Sequence, residues 1–149
     1  MMKKIIISLL TVVMLFSLSS CVKEQELKDG YYTAHMDGYD EGHGWQEFVT
    51  ICVSNGKIIT VEYNAATPTG FIKSWDIAYM RIMNPIQGVY PNRYTREYGA
   101  QLLEKQSSDI DVISGASSSG KNFKALVNAV LEKAKVGDCS VTIVPYPVK

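Results

Sequence analysis

The feature that most constrains the fold is a pair of alternating segments joined by Asn55-Gly56. Apolar residues occupy every second position within each segment: Val49, Ile51, Val53, Ile59, Val61 and Tyr63. A period of two is typical of strands that bury one face. Asn and Gly both accept the positive φ that a type I′ turn requires at its two central residues. We therefore predict a β-hairpin in this part of the chain.

The other elements follow one another without a regular βαβ rhythm. Strands are predicted at Gly30 to His35 and Cys139 to Val144, and an extended segment at Ile110 to Ile113. Three helices are predicted: Trp75 to Met83, capped by Ser74 and broken at Asn84-Pro85; one beginning at Tyr90-Pro91; and Lys121 to Lys135, ended by Gly137. This order predicts a single α+β domain, with an antiparallel sheet and helices packed on one side.

Length and composition restrict the classes of protein that remain. The chain has 149 residues, of which 46% are hydrophobic and 20% are charged. This is enough apolar material for one domain with a core and too much for a disordered chain, but the length is too short for two ordinary domains. The 15 basic residues balance 15 acidic ones, so we predict no nucleic-acid partner.

The first twenty residues have the pattern of a secretory signal. Lys3 and Lys4 precede Ile5 to Leu18, an apolar run shorter than the roughly 20 residues of a membrane-spanning helix. The next residues, Leu18-Ser19-Ser20-Cys21, resemble the lipobox of bacterial lipoproteins, in which the chain is cut before a lipidated cysteine. The resemblance implies a signal peptide at 1–20, a lipidated tether at 21–28 and a domain at 29–149 on the extracytoplasmic face of a membrane. An uncleaved N-terminal anchor is the alternative.

Lipidation of Cys21 leaves two other cysteines, Cys52 and Cys139. Outside the cell these two thiols could form a disulfide. Their separation along the chain does not indicate their distance in space, so pairing cannot be deduced from it. Cys52 lies within the predicted hairpin, where an ordinary packed thiol is the alternative.

The segment from Asp111 to Ser119, DVISGASSS, leads into the third predicted helix. A helix start presents N–H groups without intrahelical partners and a partial positive charge, which together favour phosphate. Gly115 and Ala116 would let a ligand approach the backbone closely, and the hydroxyls add donors. The alternative is a serine-rich N-cap, in which one hydroxyl caps the helix and the others face solvent.

The same segment resembles the flavin attachment motif of the FMN-binding domain family, Asp-x-x-Ser/Thr-Gly-Ala-Thr/Ser. That family includes flavin-bearing subunits of redox-driven ion pumps and flavin lipoproteins of extracellular electron transfer. The resemblance covers nearly the whole chain after residue 28. It runs through Asp29 to Thr33, Asn55 to Ile58, Lys73-Ser74, Tyr79, Met83 and Asn122 to Ala134.

By position, the resemblance implies that FMN is joined through a phosphoester to Ser117. Four residues match those that a flavin transferase recognises: Asp111, Ser114, Gly115 and Ala116. Ser118 is expected to bind the cofactor beside them. Serine stands at 117 where threonine is commoner in the family. A primary hydroxyl can form the same ester, so the implied attachment residue is kept.

The resemblance also implies a function and partners. We expect FMN as the cofactor, a flavin transferase using FAD as flavin donor, and membrane lipid bound through Cys21. The implied role is an electron carrier between unidentified donor and acceptor, and not an enzyme with its own substrate. One alternative is a lipid-anchored module that binds FMN or another small ligand non-covalently, without redox turnover. A second alternative gives a signalling role to the released leader.

Two further groups of residues were considered as sites. The segment from His35 to His43 contains two histidines and three carboxylates, but its spacing matches no zinc or calcium template, so we predict a solvated loop and no metal. Eight aromatic residues could line a ligand pocket, although we predict that they pack in the core: Tyr31, Tyr32, Tyr39, Trp45, Tyr63, Phe71, Trp75 and Tyr79. The stripe of Tyr94, Tyr98 and Leu102 is likewise predicted to be core, with flavin stacking as the alternative.

Overall fold

The computed structural model describes residues 26–146. Within this range the strands are β1 (Gly30–Met36), β2 (Gln46–Ser54), β3 (Lys57–Ala66) and β4 (Thr142–Val144). The helices are α1 (Ile77–Gln87), α2 (Pro91–Lys105) and α3 (Ser117–Val136), and a 3₁₀ turn at Lys73–Trp75 precedes α1. The predicted signal peptide at 1–20 and the predicted lipidation residue Cys21 lie outside the described residues.

The predicted hairpin is confirmed. Strands β2 and β3 pair antiparallel up to Ser54 and Lys57. Between them, Asn55 and Gly56 have φ values of 52° and 71°, the left-handed conformation that a type I′ turn needs at both positions. A register shift after Cys52 marks a bulge in the ladder. The hairpin therefore forms for the reason that the sequence suggested, and the bulge adds local twist.

The strand order of the sheet is β3-β2-β1-β4. Strand β1 pairs antiparallel with β2 and parallel with β4. The α+β class with helices on one side is confirmed, but the sheet is mixed and not wholly antiparallel. The last strand returns to the sheet after α3 and lies beside β1 in the same direction. A parallel pair of this kind requires a long connection, which the three helices supply.

Helices α2 and α3 pack on one face of the sheet and form the core with it. The core includes nine fully buried side chains: Tyr32, Val49, Ile51, Tyr98, Leu102, Phe123, Leu126, Val127 and Val130. The α2 stripe predicted as core is therefore confirmed. On the opposite face, the hydroxyls of Thr33 and Thr50 lie 2.9 Å apart across β1 and β2. A polar outer face is typical of antiparallel strands that meet water on one side.

Helix α1 differs from its prediction at both ends. Its N-cap is Asp76 and not Ser74, because the Asp76 carboxylate accepts a hydrogen bond from the backbone N–H of Tyr79 at 2.9 Å. The predicted break at Asn84-Pro85 is wrong, since the helix continues through Pro85 to Gln87. A proline in the last turn removes only one backbone hydrogen bond, and the exposed carbonyl of Arg81 can be hydrated instead.

Helix α3 begins at Ser117, four residues before its predicted start, and ends at Gly137 as predicted. Three consecutive serines therefore lie in its first turn. The segment from Ile110 to Ile113 pairs with no strand among residues 26–146 and runs alongside α2 instead. The early start of α3 matters because it places Ser117 on the helix itself rather than in a loop before it.

The two cysteines within the described residues, Cys52 and Cys139, do not form a disulfide. Cys52 is buried, Cys139 is exposed, and both are free thiols, so the packed-thiol alternative describes Cys52.

In the described part of the chain, no helix combines the length and the apolar character needed to cross a membrane. Residues 26–28, predicted to be the end of a tether, contact the domain: the N–H of Lys28 donates to the carbonyl of Ala134 at 2.8 Å.

Candidate functional site

The segment that precedes α3 is held against α2 by the side chain of Gln101. Its amide oxygen accepts from the backbone N–H of Asp111 at 2.6 Å, and its amide nitrogen donates to the carbonyl of Asp111 at 3.3 Å. One side chain thus satisfies both backbone groups of one residue. The Asp111 carboxylate is exposed and pairs with Lys105 at 2.8 Å, which raises the pKa of the lysine. An exposed pair contributes little stability, so Gln101 is the main positioning residue here.

The phenol of Tyr98 holds the next part of this segment. Tyr98 is fully buried, and its hydroxyl accepts from the N–H of Ile113 and donates to the carbonyl of Ala116, both at 3.1 Å. These two groups flank Ser114-Gly115, so one hydroxyl fixes the width of the turn between them. The core stripe of α2 therefore positions the candidate attachment segment directly.

Tyr98→Phe tests this role. The substitution keeps the ring in the core but leaves the N–H of Ile113 without this partner and removes one of the two hydrogen bonds to the carbonyl of Ala116, which still accepts from Gly120. We expect the free energy of unfolding to fall by about 1–3 kcal/mol in urea titrations. Tyr31→Phe, at a tyrosine that is 70% exposed, is the matched control and should stay within about 0.5 kcal/mol of wild type. Equal effects of the two substitutions would contradict the assignment.

Gly115 makes the closest contact between this segment and α1. Its φ is +80°, and a Cβ built on it would lie 2.6 Å from the carbonyl oxygen of Gln87 and 2.8 Å from Cγ1 of Val89. No real Cβ is accommodated at such distances, so any side chain would displace the end of α1. Ala116 closes the turn by donating its N–H to the carbonyl of Ile113 at 3.0 Å. The glycine in this motif is required by both conformation and space.

The serines that follow point in different directions. Ser114, Ser117 and Ser118 are exposed, whereas Ser119 is turned inward and donates its hydroxyl proton to the carboxylate of Glu47 at 2.8 Å. Residues two apart on a helix are separated by about 200°, which explains the opposite orientations of Ser117 and Ser119. The N-cap is Ala116, and no side chain of residues 26–146 caps α3. The serine-rich cap considered above is therefore wrong.

A buried carboxylate lies beside the first turn of α3 and was missed by the sequence analysis. Glu47 is 6% exposed; one of its oxygens binds Ser119, and the other has no partner among the described residues. Burial raises the pKa of Glu47, and the charge of Lys73, the hydrogen bond from Ser119 and the nearby polar groups of Asn122 and Tyr63 only partly oppose it. Glu47 occupies the row of β2 that continues as Val49 and Ile51. An acid in an apolar row is the signal that could have identified it.

Lys73 is the second buried charge. It is 9% exposed, and its ammonium group lies 6.0 Å from the ring centre of Trp45 and 5.7 Å from that of Tyr79. Such cation–π contacts favour the position of an ammonium group over the faces of aromatic rings. No carboxylate in the described part of the chain lies within ion-pair distance of it. The ring of His43 packs edge-on against the ring of Tyr79, with ring centres 5.9 Å apart.

Glu47→Gln is expected to change the pH dependence of stability. The folded state holds the proton of Glu47 more tightly than the unfolded state, so wild-type stability falls as pH rises from about the ordinary value of 4.5 through the raised pKa. The variant lacks this loss, which amounts to about 1.4 kcal/mol for each unit by which the pKa is raised. Unfolding titrations between pH 4 and 8 measure the difference. Glu62→Gln, at an exposed position of β3, should keep the wild-type slope, and an equal slope in Glu47→Gln would refute the expectation.

The structure also describes the loop from His35 to His43 and the eight aromatic residues named in the sequence analysis. Asp40 accepts from the backbone N–H groups of His43 at 2.5 Å and Gly44 at 3.1 Å, which forms a turn in the predicted loop. Among residues 26–146 no group of three or more side chains is arranged to hold a metal ion. The prediction that eight aromatic residues pack in the core is confirmed for Tyr32, Trp45 and Tyr63, which are buried. Tyr79 is half-buried, and the prediction is wrong for four exposed residues: Tyr31, Tyr39, Phe71 and Trp75.

A groove lies between β3 and α2. Its volume is about 670 Å³, and Trp75, Asn92 and Arg96 are among its lining residues. None of the residues from 111 to 119 contributes to this lining. The groove is therefore separate from the turn that carries the predicted site residues.

Comparisons with known proteins agree with the geometry of this domain. The "15 kDa lipoprotein" of Treponema pallidum (strain Nichols) is 34% identical over 113 residues, covering 75% of this chain and 79% of that protein. The crystal structure of the CPE2226 protein from Clostridium perfringens matches with a TM-score of 0.78 and 40% sequence identity, covering 81% of this chain and 99% of that one. The FMN-binding domain model matches residues 42–132, well over half of the chain. The chain belongs to the FMN-binding domain family, and FMN is its cofactor.

Proposed function

We propose that this protein is a lipid-anchored electron carrier whose FMN is joined to Ser117 through a phosphoester. The observation that carries the proposal is an exposed hydroxyl at the start of a 20-residue helix that no described side chain caps. Free N–H groups and the positive end of the helix dipole favour a phosphate there. Membership of the FMN-binding domain family supplies the phosphate-bearing ligand.

The residues around Ser117 fit the phosphate end of FMN. Gly115 lets the turn before the attachment hydroxyl pack against the end of α1, and Ser118 adds a second exposed hydroxyl. Asp111 and Ser114 are exposed on the same segment, which Gln101 and Tyr98 hold against α2. We assign Asp111, Ser114, Gly115 and Ala116 to recognition by a flavin transferase. A rigid, exposed turn is what such an enzyme needs to present one hydroxyl among four serines.

The attachment step is a transfer from FAD. The Ser117 oxygen forms a bond to the FMN phosphorus, the pyrophosphate bond of FAD breaks, AMP leaves, and the hydroxyl proton is released. The product carries FMN on the chain without any oxidation or reduction. A covalent bond keeps the cofactor on the protein outside the cell, where lost flavin would not be replaced.

The position of the tether supports a role away from the membrane. Lys28 contacts Ala134 near the end of α3, whereas Ser117 begins that helix. Twenty helical residues span about 30 Å, so the attachment hydroxyl and the tether lie at opposite ends of the helix. Lipidation of Cys21 would then hold one end of the domain at the extracytoplasmic face of the membrane. The name of the Treponema relative, a lipoprotein, supports this anchor.

FMN and the protein chain have different roles in this proposal. Bound FMN supplies one- and two-electron transfer. The chain holds the phosphate end at the start of α3, keeps the attachment turn rigid through Tyr98 and Gln101, and carries the cofactor away from the lipid anchor. We assign the protein no substrate of its own, and its redox partners are a donor and an acceptor that contact the α3 start.

The experiment is an intact-mass measurement on the full chain produced with a flavin transferase and FAD. Under denaturing conditions, a mass increase of one FMN less water, with flavin absorbance on the unfolded chain, supports the proposal. The lipid on Cys21 should appear as a separate increase after loss of residues 1–20. A chain that binds flavin when folded and releases all of it on unfolding would refute the covalent carrier and favour a non-covalent binding module.

A further inference from the structure

Two buried opposite charges lie close together without forming an ion pair. One oxygen of Glu47 has no hydrogen-bond partner among residues 26–146, and the ammonium group of Lys73 lies 6.0 Å and 5.7 Å from the ring centres of Trp45 and Tyr79. The lysine is near enough to influence the ionisation of Glu47. Leaving a buried carboxylate oxygen unsatisfied costs free energy, so Glu47, with the charge of Lys73 near it, is suited to a polar ligand.

The missing partners define the chemistry of that ligand. It must donate an N–H to the oxygen of Glu47 and offer a carbonyl oxygen to Lys73 at an adjacent position. The pyrimidine edge of a flavin ring presents N3–H between two carbonyl groups. We propose that Glu47 and Lys73 bind this edge, with Glu47 accepting from N3–H and Lys73 donating to a neighbouring carbonyl. The proposal rests on FMN being the cofactor and deepens the proposed function.

Aromatic side chains border the same space. Trp45 and Tyr79 flank the ammonium group of Lys73, and Phe71 packs against Trp45 with ring centres 6.2 Å apart. Flat rings of this kind pack against a planar ligand in stacked or edge-on arrangements. The cluster thus combines the two features that a flavin ring requires, aromatic walls and a polar end.

The cluster is connected to the attachment segment by one hydrogen bond. Ser119, which donates to Glu47, lies two residues after Ser117 on the same helix. Two residues advance a helix by about 3 Å along its axis. The phosphate end and the pyrimidine edge of one FMN molecule therefore have binding groups around the first turn of α3.

Helix α1 borders this cluster through Tyr79, whose ring centre lies 5.7 Å from the ammonium group of Lys73. It carries Tyr79 and has no fully buried residue, while Ile77, Ile82 and Ile86 are 57%, 66% and 74% exposed. An element that buries so little apolar surface opens at low free-energy cost. We assign α1 to the opening movement that admits the flavin ring to Glu47 and Lys73.

The test uses flavins that lack a phosphate, so that attachment at Ser117 plays no part. The full chain, made without a transferase, is titrated with riboflavin and with 3-methylriboflavin, which has no N3–H, and binding is measured by flavin fluorescence. Wild type should bind riboflavin at least about tenfold more tightly than 3-methylriboflavin, because the methylated flavin loses a hydrogen bond to a charged group. Glu47→Ala should bring the two affinities to within about threefold.

Lys73→Met provides a second, different result. It keeps the apolar stem of the side chain and removes the donor to the carbonyl, which both flavins possess. We expect both affinities to fall about tenfold while their ratio stays that of wild type. Glu62→Gln and Lys57→Met, at exposed positions of β3, are the matched controls and should change neither affinity. A merely structural role of Glu47 would weaken both flavins together and leave the ratio unchanged.

Three outcomes would overturn the proposal. They are equal wild-type affinities for the two flavins, a ratio that Glu47→Ala leaves unchanged, and no riboflavin binding up to the solubility limit of the flavin. Equal affinities would mean that Glu47 does not accept from N3–H of the flavin. The result is independent of the mass measurement: a chain that discriminates the two flavins but carries no covalent FMN would refute attachment at Ser117 and support the ring site.

Discussion

Ser117→Ala is expected to abolish covalent attachment of FMN while leaving the fold intact. Ser117 is exposed at the first position of α3, and its side chain makes no hydrogen bond to another described residue. Removing its hydroxyl deletes the atom that would form the ester and nothing that supports the core. We expect no FMN mass on the unfolded chain and a free energy of unfolding within about 0.5 kcal/mol of wild type.

Two variants at the same helix start serve as controls. Ser118→Ala removes the neighbouring exposed hydroxyl and should keep the full FMN mass. Ser117→Thr retains a hydroxyl that can form the same ester and should also be loaded. Loss of FMN in Ser118→Ala, with full loading of Ser117→Ala, would move the attachment by one residue and contradict the assignment.

Gly115→Ala is expected to lower both stability and flavin loading. The new Cβ would lie 2.6 Å from the carbonyl oxygen of Gln87, which belongs to the backbone and has no rotamer by which to move away. The left-handed conformation costs about 1–2 kcal/mol for a residue with a Cβ, and overpacking costs about 1–3 kcal/mol more. We therefore expect a loss of about 2–5 kcal/mol in urea unfolding, together with poor loading of the displaced turn.

Gly70→Ala separates the two contributions. Gly70 has φ +82°, nearly that of Gly115, but a Cβ there would meet nothing within 4 Å. It should lose only the conformational part, about 1–2 kcal/mol, and keep full FMN loading. If the two alanine variants were equally stable and equally loaded, the contact between Gly115 and the end of α1 would have no functional importance.

The elements that could be predicted from the sequence are those set by local rules. The hairpin followed from alternation and from the two residues of its turn, and Pro91 and Gly137 marked helix boundaries because their backbone preferences are local. The start of α3 could not be located in this way. Three serines and a glycine have low helix propensity, so the pattern placed the helix after them, whereas packing of Gly120 against Tyr98 carries the helix back to Ser117.

Only part of the candidate site could be predicted from the sequence. Its motif, from Asp111 to Ser118, is contiguous and was recognisable as a resemblance. The groups that hold the motif, Tyr98 and Gln101, come from another helix, and no spacing rule relates them to it. Glu47 lies 72 residues before its partner Ser119, and its alternating strand would have predicted an apolar side chain at that position.

By itself, the sequence determined the hairpin, the α+β class, the buried stripe of α2 and the segment that resembles a flavin attachment motif. These features depend on neighbouring residues, whose periodicity and backbone preferences act over a few positions. Tertiary structure alone decided that β4 lies parallel to β1, that Ser117 faces solvent while Ser119 faces the core, and that Glu47 and Lys73 are buried together. Each of these depends on contacts between residues far apart in the chain, where burial, packing and charge act together only after the chain has folded.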